Sequence, residues 1–296
     1  MIIKNPFFGL GVAIVTPFEN NGNVDYSSLS ALVEFTLEND VDYLCVLGTT
    51  GETPTLTLAE RDSIVRAVIK QVDGRVPIMV GCSSNCTSTV VEQLKSFNFD
   101  GVDAILSSVP YYNKPSQEGI YQHFKAIAEA SPRPIVMYNI PGRTGINMIS
   151  DTTLRLANDF KKIIGVKEAS GNIDQIKSIL FGKPDSFDVI SGDDSLALDV
   201  IRFGGIGVIS VIGNALPKTF GDMVHNALNN RFDEAERIND SLSSAYGVLF
   251  KEGNPCGVKD LMSSRGMIKD ILRLPLVPVS IQTHEEIVSK FANFKK

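Results

Sequence analysis

Apolar residues occur along this chain in two alternating patterns. Short apolar runs are followed by longer stretches in which apolar positions recur at every third or fourth residue. The first pattern predicts buried β-strands, and the second predicts amphipathic helices. Eight strands are predicted in this way, over residues 11–16, 43–47, 77–80, 104–107, 135–138, 163–167, 187–191 and 207–211.

A helix is predicted after each strand, and the clearest helix start is at Thr57. Thr57 and Glu60 have the capping-box spacing, in which each side chain accepts a hydrogen bond from the other residue's backbone N–H. Asp193 and Asp194 are expected to cap the helix that follows the seventh strand. The other helices are predicted near residues 25–39, 88–97, 117–130, 151–158, from 173, 195–203, 217–228, 233–250 and 285–294.

This repeated order of strand and helix predicts an α/β fold, specifically a (β/α)8 TIM barrel with a C-terminal helical appendix. Residues 1–230 are predicted to form the barrel, and residues 231–296 a helical segment packed on it. The alternative is a doubly wound open sheet. That fold favours a glycine-rich phosphate-binding loop after its first strand, and the residues from Thr16 to Glu19 do not form one.

The composition and charge of the chain indicate which partners and cofactors to expect. The chain has 296 residues, 43% hydrophobic and 21% charged, which is typical of a soluble globular protein. With a net charge of −6 we expect no nucleic-acid or membrane partner. No leader-like or membrane-length apolar run is found, so a cytoplasmic location is expected. The four cysteines and three histidines are not spaced as a disulfide framework or metal site, and neither a metal nor another cofactor is expected.

Lys167 is the strongest candidate for chemistry, because it ends the predicted sixth strand. In a barrel of parallel strands, the active site lies at the carboxyl ends of the strands. Burying an ammonium group without a partner is costly, and desolvation favours the neutral, nucleophilic amine. The alternative is a lysine that buries its stem and extends its charged end to water.

The other predicted strand ends carry groups that suit imine chemistry. Two glycines flank two threonines after the second strand, which leaves backbone N–H groups free to bind a carboxylate. Each of these features is weak alone, but together they predict a lysine that attacks a 2-oxo acid. The candidates are Thr49, Thr50, Tyr111, Tyr112, Tyr138, Arg143, Gly192 and Ile209.

Four segments carry a resemblance to a known family. They read GTTGE from Gly48, YYNKPSQEG from Tyr111, YNIPGRTG from Tyr138 and GVKEASGN from Gly165. In this order and spacing they resemble the dihydrodipicolinate synthase family, and the resemblance covers essentially the whole chain. The wider superfamily of pyruvate-dependent class I aldolases shares the barrel, the Schiff-base lysine and the tyrosine. The GRTG segment around Arg143 is more similar to the synthases.

The resemblance implies a lyase that condenses pyruvate with L-aspartate 4-semialdehyde, without a cofactor. The product would be 4-hydroxy-tetrahydrodipicolinate, in the first committed step of diaminopimelate and lysine biosynthesis. Lys167 resembles the imine-forming lysine, and Tyr138 the proton-transfer tyrosine. Thr49 and Tyr112 resemble its partners in a proton relay. Tyr112 is expected to reach in from a neighbouring subunit, which implies a homodimer or a homotetramer built as a dimer of dimers.

The same resemblance assigns the binding residues. Thr50 resembles the residue whose backbone helps to bind the pyruvate carboxylate, and Arg143 the residue that binds the carboxylate of the aldehyde. Gly192 and Ile209 match positions that line the pocket.

One departure from the family pattern concerns regulation. Lysine-inhibited members place histidines and a glutamate around an allosteric pocket at a dimer interface. The matching positions here are Leu58, Arg61 and Thr89, while Asn85 and Tyr111 remain. Without the acid, the ammonium group of an inhibitor loses its counter-charge, so weak or absent inhibition by lysine is predicted.

Two other functions are compatible with parts of this pattern. One is a related pyruvate aldolase, such as N-acetylneuraminate lyase or a keto-deoxy sugar acid aldolase. The other is a catalytically silent barrel that binds a ligand, but such a protein would not need to keep Lys167, Tyr138 and the two threonines.

Overall fold

Eight parallel strands pair in chain order, and the last strand pairs again with the first, which closes the sheet into a barrel. The computed structural model describes residues 5–294, so the predicted domain limits at residues 1 and 296 lie outside the described part. The predicted (β/α)8 barrel is confirmed. The strands are β1 Gly9–Ala13, β2 Tyr43–Val46, β3 Ile78–Gly81, β4 Ala104–Ser108, β5 Ile135–Asn139, β6 Ile163–Glu168, β7 Asp188–Ser191 and β8 Gly207–Ser210.

Helices follow the strands and surround the barrel. The predicted capping box is confirmed, because Thr57 Oγ1 accepts from Glu60 N and Glu60 accepts from Thr57 N. Among the described residues, no helix has both the length and the apolar character needed to cross a membrane. The helices are α1 Tyr26–Glu38, α2 Leu58–Val72, α3 Thr87–Ser96, α4 Gln117–Ala130, α5 Pro141–Thr144, α6 Ser150–Asp159, α7 Ile173–Gly182, α8 Ala197–Arg202, α9 Pro217–Leu228, α10 Phe232–Phe250, α11 Cys256–Ser264 and α12 Ile281–Phe291.

The first strand lies closer to the N-terminus than predicted, over Gly9–Ala13 instead of residues 11–16. A Cβ at Gly11 would lie 2.1 Å from the Tyr43 ring. The ring therefore fits only because residue 11 has no side chain. At the join between β8 and β1, a Cβ at Gly207 would lie 1.9 Å from the backbone oxygen of Gly9. Glycine at these strand starts therefore allows the two strands to approach closely.

Two apolar layers hold the barrel together, because successive strand residues point to opposite faces of the sheet. Outward-facing side chains pack against the helices in the larger layer. At the amino-terminal end of the strands, the buried rings of Phe7 and Tyr43 meet edge to face, 5.2 Å apart. The layer inside the barrel consists of Phe7, Ala13, Tyr43, Cys45, Met79, Ala104, Leu106, Val136, Tyr138, Ile190 and Ile209.

The C-terminal segment reaches the loop that follows β2. Lys259 on α11 is fully buried, and its Nζ donates to Glu52 Oε1 at 2.5 Å and to Ile271 O at 2.8 Å. The other Glu52 oxygen accepts from the backbone N of Arg273 at 3.1 Å. These contacts support the prediction that the C-terminal helices pack on the barrel.

Arg273 also ties the C-terminal segment to α2. Its guanidinium donates to both oxygens of Glu60, at 2.5 and 2.9 Å. These bonds hold the pKa of Glu60 at about 2, below its ordinary value of 4.5. A carboxyl group with a lowered pKa stabilises the fold above its unfolded-state pKa, and this stabilisation is lost as the pH falls toward the folded-state value.

We therefore expect Glu60→Gln to lower the free energy of unfolding by about 2–3 kcal/mol at pH 7, and by less than half of that at pH 3. Urea unfolding of both proteins at the two pH values measures the difference. Glu129→Gln, at an exposed position on α4, is the matched control and should change little at either pH. An equal loss for Glu60→Gln at pH 7 and pH 3 would contradict the assignment.

Candidate active site

Lys167 and Tyr138 lie side by side at the carboxyl end of the barrel. They are register partners on β6 and β5, and the Lys167 Nζ is 4.5 Å from the centre of the Tyr138 ring. Lys167 is 6% exposed, so its side chain ends inside the barrel mouth rather than in bulk water. The alternative of a lysine extended to solvent is therefore not supported.

Lys167 and Lys259 are both buried, but their charged groups have different surroundings. Lys259 is paired with Glu52, as expected for a buried ammonium group. In residues 5–294, by contrast, no carboxylate forms an ion pair with Lys167. An amine with this surrounding can act as a nucleophile toward a carbonyl carbon.

Gly192 makes room for the lysine side chain. A Cβ at position 192 would lie 3.1 Å from both Cγ and Cε of Lys167, and 2.7 Å from the Cβ of Ala169. The glycine lines the same cavity as Lys167, and its predicted contact with a substrate stays a prediction. Any larger residue would push the lysine stem away from its place on the strand.

The cavity above Lys167 has a volume of about 550 Å³ and contains the two threonines of the loop after β2. Thr50 is buried, and its Oγ1 accepts from Asn254 Nδ2 at 3.0 Å. Because that bond uses the oxygen as an acceptor, the hydroxyl hydrogen remains available to an anion in the cavity. Thr49 lines both this cavity and a neighbouring one of about 320 Å³.

Arg143 supplies a cation to the same cavity from the short helix α5. One Nη2 hydrogen bond goes to the backbone oxygen of Asn254, at 3.2 Å. The remaining guanidinium N–H groups have no hydrogen-bond partner in the described part of the chain. They can bind a carboxylate in a two-pronged arrangement. Asn254 thus contacts both Thr50 and Arg143, one through its side chain and one through its backbone.

Part of the cavity wall was not predicted from the sequence. Asn254 lies after the glycine that follows α10, and five residues of α10 also line the cavity. Local patterns predict α10 as a helix but do not indicate which barrel loop it contacts. The α10 residues are Asn239, Ser243, Tyr246, Gly247 and Phe250.

The predicted capping role of Asp193 and Asp194 is wrong for both residues. The helix begins later, at Ala197, and its N-cap residue makes no side-chain cap bond. Asp194 is instead buried, and it accepts from the backbone N of Val211 at 3.1 Å and of Ile212 at 2.9 Å. Burial raises the pKa of Asp194 to about 6. The carboxyl group therefore joins the end of β7 to the end of β8.

Three other predicted residues lie outside the main cavity. Tyr112 is 86% exposed, with a φ of +73°. Tyr111 lines the neighbouring cavity, and Asn85 accepts at its backbone oxygen from the Asn113 side chain at 3.1 Å. Their predicted relay and allosteric roles stay predictions.

Ile209 differs from the expected position as well. It is buried in the layer inside the barrel that includes Tyr138, and it is not among the described residues that line the cavity. Its contact with a substrate stays a prediction. The described residues also contain no cluster of His, Cys, Asp and Glu side chains that could hold a metal ion.

The model of the Dihydrodipicolinate synthetase family matches residues 6–293 of the chain. A 4-hydroxy-tetrahydrodipicolinate synthase from Phocaeicola vulgatus is 55% identical over 286 residues, which is 97% of this chain and 96% of that protein.

Solved structures agree with the sequence match. The dihydrodipicolinate synthase of Thermotoga maritima superposes with a TM-score of 0.94 at 40% identity, covering 97% of this chain and 98% of that one. A chloride-inhibited dihydrodipicolinate synthase from Acinetobacter baumannii, complexed with pyruvate, gives a TM-score of 0.93 at 38% identity. That match covers 96% of this chain and 98% of the other.

Proposed function

Since the chain belongs to the dihydrodipicolinate synthetase family, we propose that it condenses pyruvate with L-aspartate 4-semialdehyde. The product is 4-hydroxy-tetrahydrodipicolinate, the first committed intermediate of diaminopimelate and lysine biosynthesis. The enzyme is a lyase of the class I aldolase type. The observation that carries this proposal is the buried Lys167 amine beside Tyr138, without a carboxylate partner among the described residues.

The first half of the reaction activates pyruvate. The Lys167 Nζ attacks the C2 carbon of pyruvate, and the adduct loses water to form an imine. The protonated imine draws electrons from C3, so that C3 loses a proton and an enamine forms. Tyr138, whose ring centre lies 4.5 Å from the amine, carries these protons, a role that contributes roughly 10²–10⁴-fold in rate. The N–H and O–H donors of Thr49 and Thr50 hold the pyruvate carboxylate.

The second half joins the two substrates. The enamine C3 attacks the aldehyde carbon, and the aldehyde oxygen takes up a proton to become an alcohol while the lysine nitrogen returns to the imine. The amino group of the second substrate then attacks C2 and displaces the Lys167 amine, which closes the ring and frees the enzyme. Arg143 binds the carboxylate of the aldehyde, and this orientation supplies much of the rate increase.

The proposal includes an assembly of subunits. Tyr112 is exposed and outside its own cavity, which supports a relay in which it serves the site of a neighbouring subunit together with Thr49 and Tyr138. We propose a homodimer or a homotetramer built as a dimer of dimers. The free thiols of Cys45, Cys82, Cys86 and Cys256 support a reducing location, such as the cytoplasm.

The imine is tested by reduction with borohydride in the presence of pyruvate. We expect the peptide that contains Lys167 to gain the mass of pyruvate, less one water and plus two hydrogens. Lys167→Arg should abolish both the adduct and turnover, whereas Lys161→Arg, at an exposed position, is the control. Mass spectrometry locates the adduct, and a kinetic assay with aspartate semialdehyde and with sugar aldehydes identifies the second substrate. Full turnover by Lys167→Arg would overturn the proposal.

The role of Arg143 is tested separately from imine formation. Arg143→Ala should raise the KM for aspartate semialdehyde by about 10- to 100-fold, because a charge-assisted hydrogen-bond pair is lost. Trapping of pyruvate on Lys167 should be unchanged, and Arg143→Lys should show a smaller rise in KM. If Arg143→Ala slowed pyruvate trapping and left the KM for the aldehyde unchanged, the assignment would be wrong.

Regulation by lysine is predicted to be weak or absent. Arg61 lines the neighbouring cavity, where its Nε donates to Leu56 O at 3.1 Å and its Nη2 to Thr53 O at 3.0 Å. A fixed cation in this cavity disfavours an ammonium ligand, so we expect millimolar lysine to change the initial rate by less than about twofold. Inhibition by micromolar lysine in the same assay would contradict this.

A further inference from the structure

The residue that follows each of the two proposed catalytic residues lies on the outer face of the sheet. Asn139 follows Tyr138 on β5, Glu168 follows Lys167 on β6, and the two are register partners. Because neighbouring strand residues point to opposite faces, these side chains lie between the barrel and the helices. Asn139 is 0% exposed and Glu168 is 1% exposed.

Glu168 accepts hydrogen bonds from neutral donors alone among the described residues. Asn139 Nδ2 donates to its two oxygens at 3.1 and 3.0 Å, and Ser170 N donates at 2.7 Å. Gln175 Nε2 on α7 donates at 3.2 Å. No lysine, arginine or histidine of residues 5–294 forms an ion pair with this carboxylate. Burying a carboxylate without a counter-ion costs folding free energy. The presence of Glu168 at this position therefore indicates a role other than packing.

The same network holds the loop that carries Arg143. Asn139 Oδ1 accepts from Met148 N at 3.0 Å, and Asn139 Nδ2 donates to Asn147 Oδ1 at 2.8 Å. Gln175 exchanges hydrogen bonds with the Asn147 side chain, at 2.7 and 3.2 Å. The loop from the end of β5 to α6 is therefore fixed at its far end by the groups that surround Glu168.

We propose that Glu168 is a positioning residue for the reaction proposed above, on which this inference rests. Its carboxylate gathers N–H donors from β5, from the loop after β6 and from α7. This fixes the ends of β5 and β6 relative to each other, and so holds the Lys167 amine against Tyr138. Through Asn139 and Gln175 it also fixes the loop of Arg143. Glu168 itself lies outside the cavity and does not touch the substrate.

A carboxylate suits this place better than an amide, and burial raises the pKa of Glu168 above its usual value. A carboxylate has acceptor sites only, and all the groups that surround Glu168 offer donors. Glu168→Gln keeps the volume of the side chain but turns an NH₂ group toward those donors. The substitution therefore disturbs the network without opening a cavity or adding bulk.

The test measures kcat for each trappable site. The fraction of Glu168→Gln that forms the borohydride adduct with pyruvate counts correctly folded sites, and turnover is divided by that count. We expect kcat per site to fall about 10- to 100-fold, as misplacement of reacting groups by a fraction of an ångström does. The KM for pyruvate should change less than about threefold. Glu129→Gln, exposed on α4, is the matched control.

A double variant and a second single variant make the outcome decisive. Asn139→Asp/Glu168→Gln exchanges the acid and the amide between β5 and β6, so that one acid again faces one amide. This double variant should recover part of the lost kcat. If Glu168→Gln does not fold, Gln175→Ala decides, since it should raise the KM for the aldehyde through the Arg143 loop while pyruvate trapping persists.

Unchanged kcat per site in Glu168→Gln would overturn the inference. If Glu168→Gln does not fold, an unchanged KM for the aldehyde in Gln175→Ala would overturn it instead. Failure of the unmodified protein to trap pyruvate would instead overturn the proposed function.

Discussion

A lysine amine that is buried without a counter-ion among residues 5–294 is the constraint on which the rest of this structure depends. Two lysines are buried among the described residues, and their surroundings differ. Lys259 is neutralised by Glu52 and serves the fold, while Lys167 is left to face an aromatic ring and a cavity. The sheet separates Lys167 from the acid next to it in sequence, because consecutive strand residues point to opposite faces. A barrel strand can therefore carry a reactive amine inside and an acidic anchor outside.

The C-terminal segment holds the site in place together with the strands. The C-terminal segment is far from the β2 loop in sequence, yet Asn254 contacts Thr50 across 204 residues, and Lys259 contacts Glu52 across 207. Asn254 also accepts a hydrogen bond from Arg143. The two groups proposed to bind carboxylates are thus connected by one asparagine. The helices after the barrel act as a support for its loops, and their contribution is as much a part of the cavity as that of the strands.

Local pattern accounts for most of the fold. The strand and helix periods, the Thr57 capping box and the placement of Lys167 and Tyr138 at strand ends all follow from residues close together in the sequence. What could not be predicted depends on distant partners. Nothing local indicates that β1 begins at Gly9, where it pairs with Gly207 of β8. Asp194 resembled a helix cap, since nothing local shows that it binds the backbone after β8. The α10 wall of the cavity was missed for the same reason.

The contact of Gly9 with Gly207 has a consequence for solubility. A sheet closed on itself has no free edge, whereas an opened one presents two rows of unpaired N–H and C=O groups to other chains. The first and last strands approach so closely at this point that a side chain on Gly207 would collide with the backbone of Gly9. These two small residues keep the barrel from offering a template for aggregation, far from the chemistry at its other end.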